Sequence, residues 1–452
     1  MSESHPEAQV AIIGLGYVGL PLAMAFGHAG IPVVGIDLDE RKIQLINDGK
    51  SYIPDVPTDQ VTALVEHRLL RATHSYAALQ PVSSIFICVP TPFDANKAPD
   101  LTAVRSAAEG IAPHLQRGQM IVLQSTTYPG TTEEVVLPIL EKSGLKAGTD
   151  FDLAFSPERI DPGNKQFNAI NTPKVVGGVN ERSTHRAAEL LKQIGAPVEP
   201  VSSTRAAEMT KLLENIFRSV NIALVNEMAL LCERMDIDIW EVIRAASTKP
   251  FGFMPFTPGA GVGGHCIPID PLYLSWKAHE YDFHTNFIDL AAQVNQSMPY
   301  HVVDLTTQGL AQQGKTLRQA HVLVLGVAFK RDIDDARESP AERVIELLRL
   351  RGASVEYHDP YIPRFHVGGN VFHRELMWLE SVPLTDEKLA QVDCVVIVTG
   401  HRQVNYANVV SQSKLVIDSC NATAQAAAGR EKIVRLGAPL PGGAQHKSME
   451  DH

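Results

Sequence analysis

An α/β fold with two doubly wound parallel-sheet domains, joined by a long central helix in a helical domain, is predicted by three observations. Two stretches, starting near residues 10 and 320, each read as strand, glycine, helix, strand and acid. The first carries three glycines spaced Gly14-x-Gly16-x-x-Gly19. Between the two lies an uninterrupted helical pattern from about Thr204 to Met235.

The first strand, Val10-Ala11-Ile12-Ile13, runs into Gly14-Leu15-Gly16-Tyr17-Val18-Gly19. A helix follows to about Ala29, and Gly30 suits its left-handed cap. The second strand, Pro32 to Ile36, ends at Asp37, eighteen residues after Gly19. This is the Rossmann-like dinucleotide fingerprint in its required context. It assigns Gly14, Gly16, Tyr17, Val18, Gly19 and Asp37 to a cofactor. Asp37 can accept from a ribose 2′-hydroxyl but repels a 2′-phosphate, and Asp39 adds to that repulsion, so the cofactor is NAD. Arg41 alone argues for NADP; it stays among the cofactor candidates, although an exposed helix-start arginine explains it too.

Strands at Ser84–Val89 and Met120–Gln124 leave Thr91 and Thr126 in loops at their C-terminal ends, where ligands of open α/β sheets bind. Ordinary turn and cap chemistry is the plainer account of either threonine. The long helix opens at Ser202-Ser203-Thr204 and is apolar on most sides, as expected of a connector between domains and between subunits. Lys211 and Asn215 are four apart on it, hence on one face, and are read as sharing a buried site.

The second unit has strands at Ala320–Gly326, Ser354–Pro360 (ending in an acid, Asp359), Cys394–Thr399 and Lys414–Asp418, with a helix at Pro340–Leu350. Gly326 is followed by Val327-Ala328-Phe329-Lys330-Arg331-Asp332, so the three-glycine fingerprint is lost and a different nucleotide is expected. Lys330 and Arg331 beyond a strand end suit a pyrophosphate, with surface solvation the simpler reading of each alone.

Of five cysteines, Cys232 and Cys394 lie in apolar runs, and Cys88 and Cys420 end strands. Only Cys266 sits among glycines, prolines and an acid, in Gly263-Gly264-His265-Cys266-Ile267-Pro268-Ile269-Asp270. The glycines would let backbone approach a ligand, with Pro268 and Pro271 stiffening a turn. An odd cysteine count without paired spacing predicts neither disulfides nor a structural metal. A net charge of −11 disfavours nucleic acid. Neither a signal peptide nor a membrane span is legible, so a cytoplasmic protein is expected.

Taken in order, these motifs resemble those of the nucleotide-sugar 6-dehydrogenases, the family of UDP-glucose, GDP-mannose and UDP-N-acetylhexosamine dehydrogenases. The resemblance runs from Val10 to about Cys420. It rests on the glycine fingerprint, Val89-Pro90-Thr91-Pro92, Ser125-Thr126, Ser156-Pro157-Glu158-Arg159, Lys211 with Asn215, the Cys266 segment, and Phe329-Lys330. It implies oxidation of a sugar C6 alcohol to a carboxylate with two NAD per turnover. Cys266 would attack the bound aldehyde as thiolate, giving a thiohemiacetal, then a thioester that water hydrolyses. Lys211 would balance the developing oxyanion and Asn215 donate to it. Glu158 and Asp270 would be general bases, with the division of that work among Glu158, Asp270 and Lys211 left open. Thr126 joins the catalytic and cofactor sets, Lys330 binds substrate, and Arg337 contacts the cofactor. A homodimer through the long helix is also implied.

The chain has Arg159 after Pro157-Glu158, and Lys249-Pro250-Phe251-Gly252-Phe253-Met254-Pro255-Phe256 before the glycine loop. Both resemble the branch acting on UDP-N-acetylglucosamine, so Arg159, Phe256 and Gly263 are assigned to the substrate. UDP-glucose, and the galacto and manno N-acetyl sugars, are the alternatives within the family. A hydroxyacid dehydrogenase would need no Cys266, and a non-catalytic nucleotide-sugar binder would be expected to lose some of Cys266, Lys211, Asn215, Glu158 and Asp270. The expected division is residues 1–200 for NAD, 201–315 central and helical, 316–440 for the UDP-sugar, and 441–452 as a disordered tail.

Overall fold

The computed structural model describes residues 8–53, 55–93, 98–159, 166–167, 170–264, 266–370 and 374–441, with only the backbone of Cys266. The predicted tail therefore lies, apart from Pro441, outside the described residues, as does Ile160–Asn164. The chain forms two compact units, residues 1–215 with 272–284, and residues 216–271 with 285–452.

The first unit holds an eight-stranded sheet: β1 (Val10–Ile13), β2 (Val33–Ile36), β3 (Leu70–Thr73), β4 (Ser84–Ile87), β5 (Met120–Leu123), β6 (Asp152–Phe155), β7 (Lys174–Gly178) and β8 (Val198–Pro200). Their order is β3-β2-β1-β4-β5-β6-β7-β8. The first six run parallel in the dinucleotide-binding order, while β7 pairs antiparallel with β6 and reverses that edge. Every residue of β1, β2, β4 and β5 is buried, because helices cover both faces of a parallel sheet. Helix α1 (Gly19–His28) packs on β1 and β2 and ends at Gly30, whose φ of +78° realises the predicted cap. Helix α2 (Glu40–Asn47) starts at Asp39, whose carboxylate accepts from the Arg41 N–H.

The second unit contains a five-stranded sheet: β9 (His321–Leu325), β10 (Ser354–His358), β13 (Cys394–Ile397), β14 (Val416–Asp418) and β15 (Ile433–Arg435). All run parallel, in the order β10-β9-β13-β14-β15. A separate antiparallel pair, β11 (Arg364–Val367) and β12 (Met377–Glu380), follows β10.

Helix α3 (Thr204–Arg234) is continuous over 31 residues and continues from one unit into the other. Ser203 caps it by accepting from the Ala206 N–H. Helix α4 (Cys266–Ala278) replaces the proline-stiffened turn expected after Cys266. Pro268 falls in its first turn, where a missing N–H removes no intrahelical bond; only Pro271 lies deeper. Helix α5 (Asn286–Gln312) and helix α6 (Pro340–Leu350), capped by Ser339, complete the second unit's main scaffold.

Candidate active site

The glycines of the first turn divide by function. A Cβ on Gly14, where φ is +90°, would lie 2.7 Å from the Cys88 carbonyl oxygen, and one on Gly19 would lie 1.8 Å from that of Gly14. Both are therefore demanded by chain packing. A Cβ on Gly16 meets nothing within 4 Å, so the turn is open there, at the N-terminal end of α1. Tyr17 is exposed beside it, and Val18 is the N-cap residue. At the end of β2, Asp37 accepts from the Leu15 N–H at 2.8 Å and the Asp39 N–H at 2.9 Å, with Lys42 Nζ at 3.3 Å. An open turn over a helix end and a carboxylate closing the second strand fit a dinucleotide. Arg41 is turned to Asp39, with its Nη2 2.9 Å from Oδ2.

Thr91 Oγ1 donates to the Thr126 carbonyl at 2.8 Å, and the Thr91 carbonyl accepts from the Tyr273 hydroxyl. Thr91 thus ties together the loops after β4 and β5. Thr126 is half-buried in the second of these loops.

Lys211 and Asn215 are both buried on α3, as their spacing predicts. Lys211 Nζ donates to the Glu158 carbonyl oxygen at 2.7 Å. The Glu158 carboxylate faces Lys174, whose Nζ lies 3.0 Å from each oxygen. It also accepts from Gln124 Nε2 at 3.0 Å and from the Arg159 N–H at 2.7 Å. The Arg159 guanidinium is held by Glu214 at 2.6 Å and by the Pro173 carbonyl at 2.8 Å. One turn of α3 thus engages both Glu158, through its carbonyl, and Arg159.

A turn before Lys211, Glu208 accepts from the Gly130 N–H at 2.6 Å and from the Thr132 N–H and hydroxyl at 2.9 and 2.7 Å. This fastens the segment after Thr126 to α3. Burial pushes the Glu208 carboxyl up to about 7, against the pull of those three bonds. Cys88 is buried, and its thiol is pushed up by desolvation, so it carries no nucleophilic role. Sequence reasoning missed Lys174, Gln124 and Glu208. The one legible signal was a lysine opening the apolar run Lys174-Val175-Val176.

In the second unit the two glycines before the cysteine are both required by close packing of the chain. A Cβ on Gly263 would lie 2.7 Å from the Glu338 carbonyl oxygen and 2.8 Å from Phe329 Cβ. Gly264 has φ +85°, and its Cβ would lie 2.8 Å from the Phe329 ring. The Gly264 N–H donates to the Arg337 carbonyl at 2.9 Å. Cys266 begins α4, and Asp270, four residues on, is buried. Phe256 packs edge-on against Phe217, ring centroids 5.8 Å apart. Lys330 is half-buried in the loop after β9; the Arg337 guanidinium is exposed and bonded to Asp335 at 3.0 and 2.6 Å.

The internal repeat is visible in these bonds. Gly326 (φ +80°) donates to the His358 carbonyl at 2.9 Å, as Gly14 does to that of Ile36 at 2.8 Å. Asp359 accepts from Val327 and Ala328 N–H at 2.7 and 2.9 Å, as Asp37 accepts from Leu15. In the second unit, however, the acid is closed off by His401, whose Nε2 lies 3.0 Å away. Among the described residues, no helix is long and apolar enough to cross a membrane.

The sequence matches three models of one family: the UDP-glucose/GDP-mannose dehydrogenase NAD binding domain over residues 8–195, central domain over 205–297 and UDP binding domain over 323–425. It is 35% identical over 403 residues to a UDP-N-acetyl-D-glucosamine 6-dehydrogenase of Salmonella typhi, covering 88% of this chain and 91% of that one. It is 38% identical over 362 residues to a protein of that name from Pseudomonas aeruginosa, covering 79% and 83%. The solved UDP-N-acetylmannosamine dehydrogenase of Pyrococcus horikoshii superposes with a TM-score of 0.85 at 31% identity, covering 95% of this chain and 99% of that one. With the open dinucleotide turn and the degenerate second sheet in place, the chain belongs to the UDP-glucose/GDP-mannose dehydrogenase family and is an NAD-dependent nucleotide-sugar dehydrogenase.

Proposed function

We propose that the chain oxidises UDP-N-acetyl-D-glucosamine at C6 to the UDP-N-acetylglucosaminuronate, using two NAD per turnover. The observation that carries the chemistry is the buried Lys211 ammonium, fixed on the Glu158 carbonyl and one helical turn from buried Asn215. A preorganised cation of this kind stabilises an oxyanion where water would have to reorganise. Gly14, Gly16, Gly19 and Asp37 hold NAD, which when bound takes up the hydride released at C6.

Cys266 supplies the sulfur that adds to the sugar aldehyde, splitting a four-electron oxidation into two steps through a covalent adduct. Lys211 and Asn215 face the oxyanion formed in that addition. Asp270, four residues after Cys266 in α4, and Glu158 serve as general bases. Thr126 contacts cofactor and sugar, Thr91 and Arg337 contact cofactor, and Lys330 with Gly263 contacts the UDP moiety. The functional division into residues 1–200, 201–315 and 316–440 belongs to the same reading.

Arg159 and Phe256 support the N-acetylated sugar, as do the two UDP-N-acetyl-D-glucosamine 6-dehydrogenases among the relatives. A second reading, UDP-N-acetylmannosamine, is favoured by relatives of that name at 34% and 35% identity. NADH yield at completion, per mole of limiting UDP-sugar, separates them. Two NADH from the N-acetylglucosamine nucleotide, with little from the manno or glucose nucleotide, is the expected result; one NADH would remove Cys266 from its role.

The exposed residues Met209, Leu213, Phe217, Leu224 and Leu231 recur along one stripe of α3, which supports a homodimer through that helix. A cytoplasmic enzyme supplying a uronic acid for polysaccharide synthesis completes the proposal.

A further inference from the structure

The loop after β9, which carries Lys330, has an unusual backbone and an external clamp. Asp332 sits at φ +61°, a left-handed conformation that costs a non-glycine residue about 1 kcal/mol. Its N–H donates to His401 Nδ1 at 3.0 Å. Its carboxylate accepts from the Arg402 N–H at 2.9 Å. Earlier in the loop, the Ala328 carbonyl accepts from Thr399 Oγ1 at 2.6 Å, and Asp359 holds the Val327 and Ala328 N–H groups.

His401 itself is fully buried, four residues past the end of β13. Because Nδ1 accepts from a backbone N–H, the proton must lie on Nε2, which donates to Asp359. The neutral imidazole is thus the only form that satisfies both partners. Protonation would set an N–H on Nδ1 against the Asp332 N–H and toward the Asp332 carboxylate, now 3.9 Å away. The groups facing the ring are Asp359 and Asp332, the Tyr361 ring at 5.1 Å, Arg331 reaching toward Gly400, Arg402 beside it and the Tyr406 phenol.

We propose that His401, by accepting the Asp332 N–H at Nδ1, is a positioning residue that fixes the Lys330 loop in its nucleotide-binding shape and releases it on protonation. The inference rests on the assignment of Lys330 to the UDP moiety. No part of it requires His401 to touch the nucleotide.

Two amide variants divide the ring's functions. In His401→Asn the side-chain oxygen occupies the Nδ1 position and still accepts from Asp332; in His401→Gln the amide reaches Asp359 but offers Asp332 nothing. Binding of UDP and of UDP-N-acetylglucosamine to the full chain is measured by calorimetry at pH 7.5, with thermal unfolding in parallel. Loss of one such bond predicts that His401→Gln weakens binding roughly tenfold, with His401→Asn close to wild type. In the wild-type chain, affinity for UDP-N-acetylglucosamine, whose pyrophosphate diester keeps its charge, should fall from pH 7.5 to pH 5.5, and His401→Asn should abolish that fall.

Equal weakening by both variants, no weakening by either, or a pH-independent wild-type affinity would overturn the proposal. If His401→Gln fails to fold, the pH comparison decides alone. Binding of UDP without UDP-N-acetylglucosamine would sink the sugar assignment, while the variants tested with UDP still judge the clamp.

Discussion

Lys174 Nζ stands 3.0 Å from both carboxylate oxygens of Glu158, with the lysine side chain wholly out of contact with solvent. The pair lies at the start of β7, and the Glu158 carbonyl is the group that receives Lys211. A buried pair adds little over an apolar one, but breaking it strands a charge. Lys174→Met should therefore destabilise the chain by about 3–5 kcal/mol. Lys174→Met with Glu158→Gln should recover most of that loss in urea unfolding while leaving activity low. A single variant as stable as wild type would show that the pair anchors nothing.

Gly16 and Gly19 make a paired test of the dinucleotide turn. Gly16→Ala should fold with an unchanged melting temperature, since its Cβ meets nothing, yet bind NAD more weakly. Gly19→Ala, whose Cβ falls 1.8 Å from the Gly14 carbonyl oxygen, should fail to give soluble protein. Intact NAD affinity in Gly16→Ala, read by calorimetry, would place the pyrophosphate elsewhere.

Asp37→Ala should raise the KM for NAD by roughly 10–100-fold, the worth of one or two bonds to a charged acceptor, with a much smaller change in kcat. The loss includes the Leu15 N–H, which Asp37 also holds. Improved use of NADP by this variant would confirm that the carboxylate excludes the 2′-phosphate.

Much of this was legible beforehand, and the gaps have a physical cause. The bounds of Val10–Ile13 and Pro340–Leu350 follow from sequence, since an apolar run entering a glycine, or a Ser-Pro start before an amphipathic turn, is local information. Helical spacing fixes the common face of Lys211 and Asn215, and the apolar surface around them predicts that they share a buried site. The Asp359–His401 and Glu158–Lys174 contacts join residues 42 and 16 apart through sheet topology, and no window of sequence contains them. Helix α4 was missed because Pro268 and Pro271 dominate the local reading, although a proline in the first turn breaks nothing.

Asp359 gives a pH-dependent signature. Burial pushes its carboxyl up, but hydrogen bonds from His401 and from the Ala328 and Tyr361 N–H groups outweigh it and hold the group below the usual aspartate range. The folded chain thus binds this proton less readily than the unfolded chain does. The stabilisation is complete above pH 4 and is lost as pH falls through the lowered folded value. The difference in unfolding free energy between wild type and Asp359→Asn should accordingly shrink as pH falls below 4. A difference that grew below pH 4 would reverse the sign argued here.

Gly263 and Gly264 rest on Phe329 and on the carbonyls of Arg337 and Glu338, so the stretch leading to Cys266 takes its shape from another part of the chain. This bears on modular engineering. A chimera that borrows the C-terminal sheet from a relative inherits a mould along with a nucleotide preference, and the ring at position 329 belongs to that mould. Grafts that preserve residues 263–264 while changing 329–340 would alter the seat of these two glycines without touching their own sequence. The exchangeable cassette is therefore larger than the C-terminal sheet and must include the residues that lean on it.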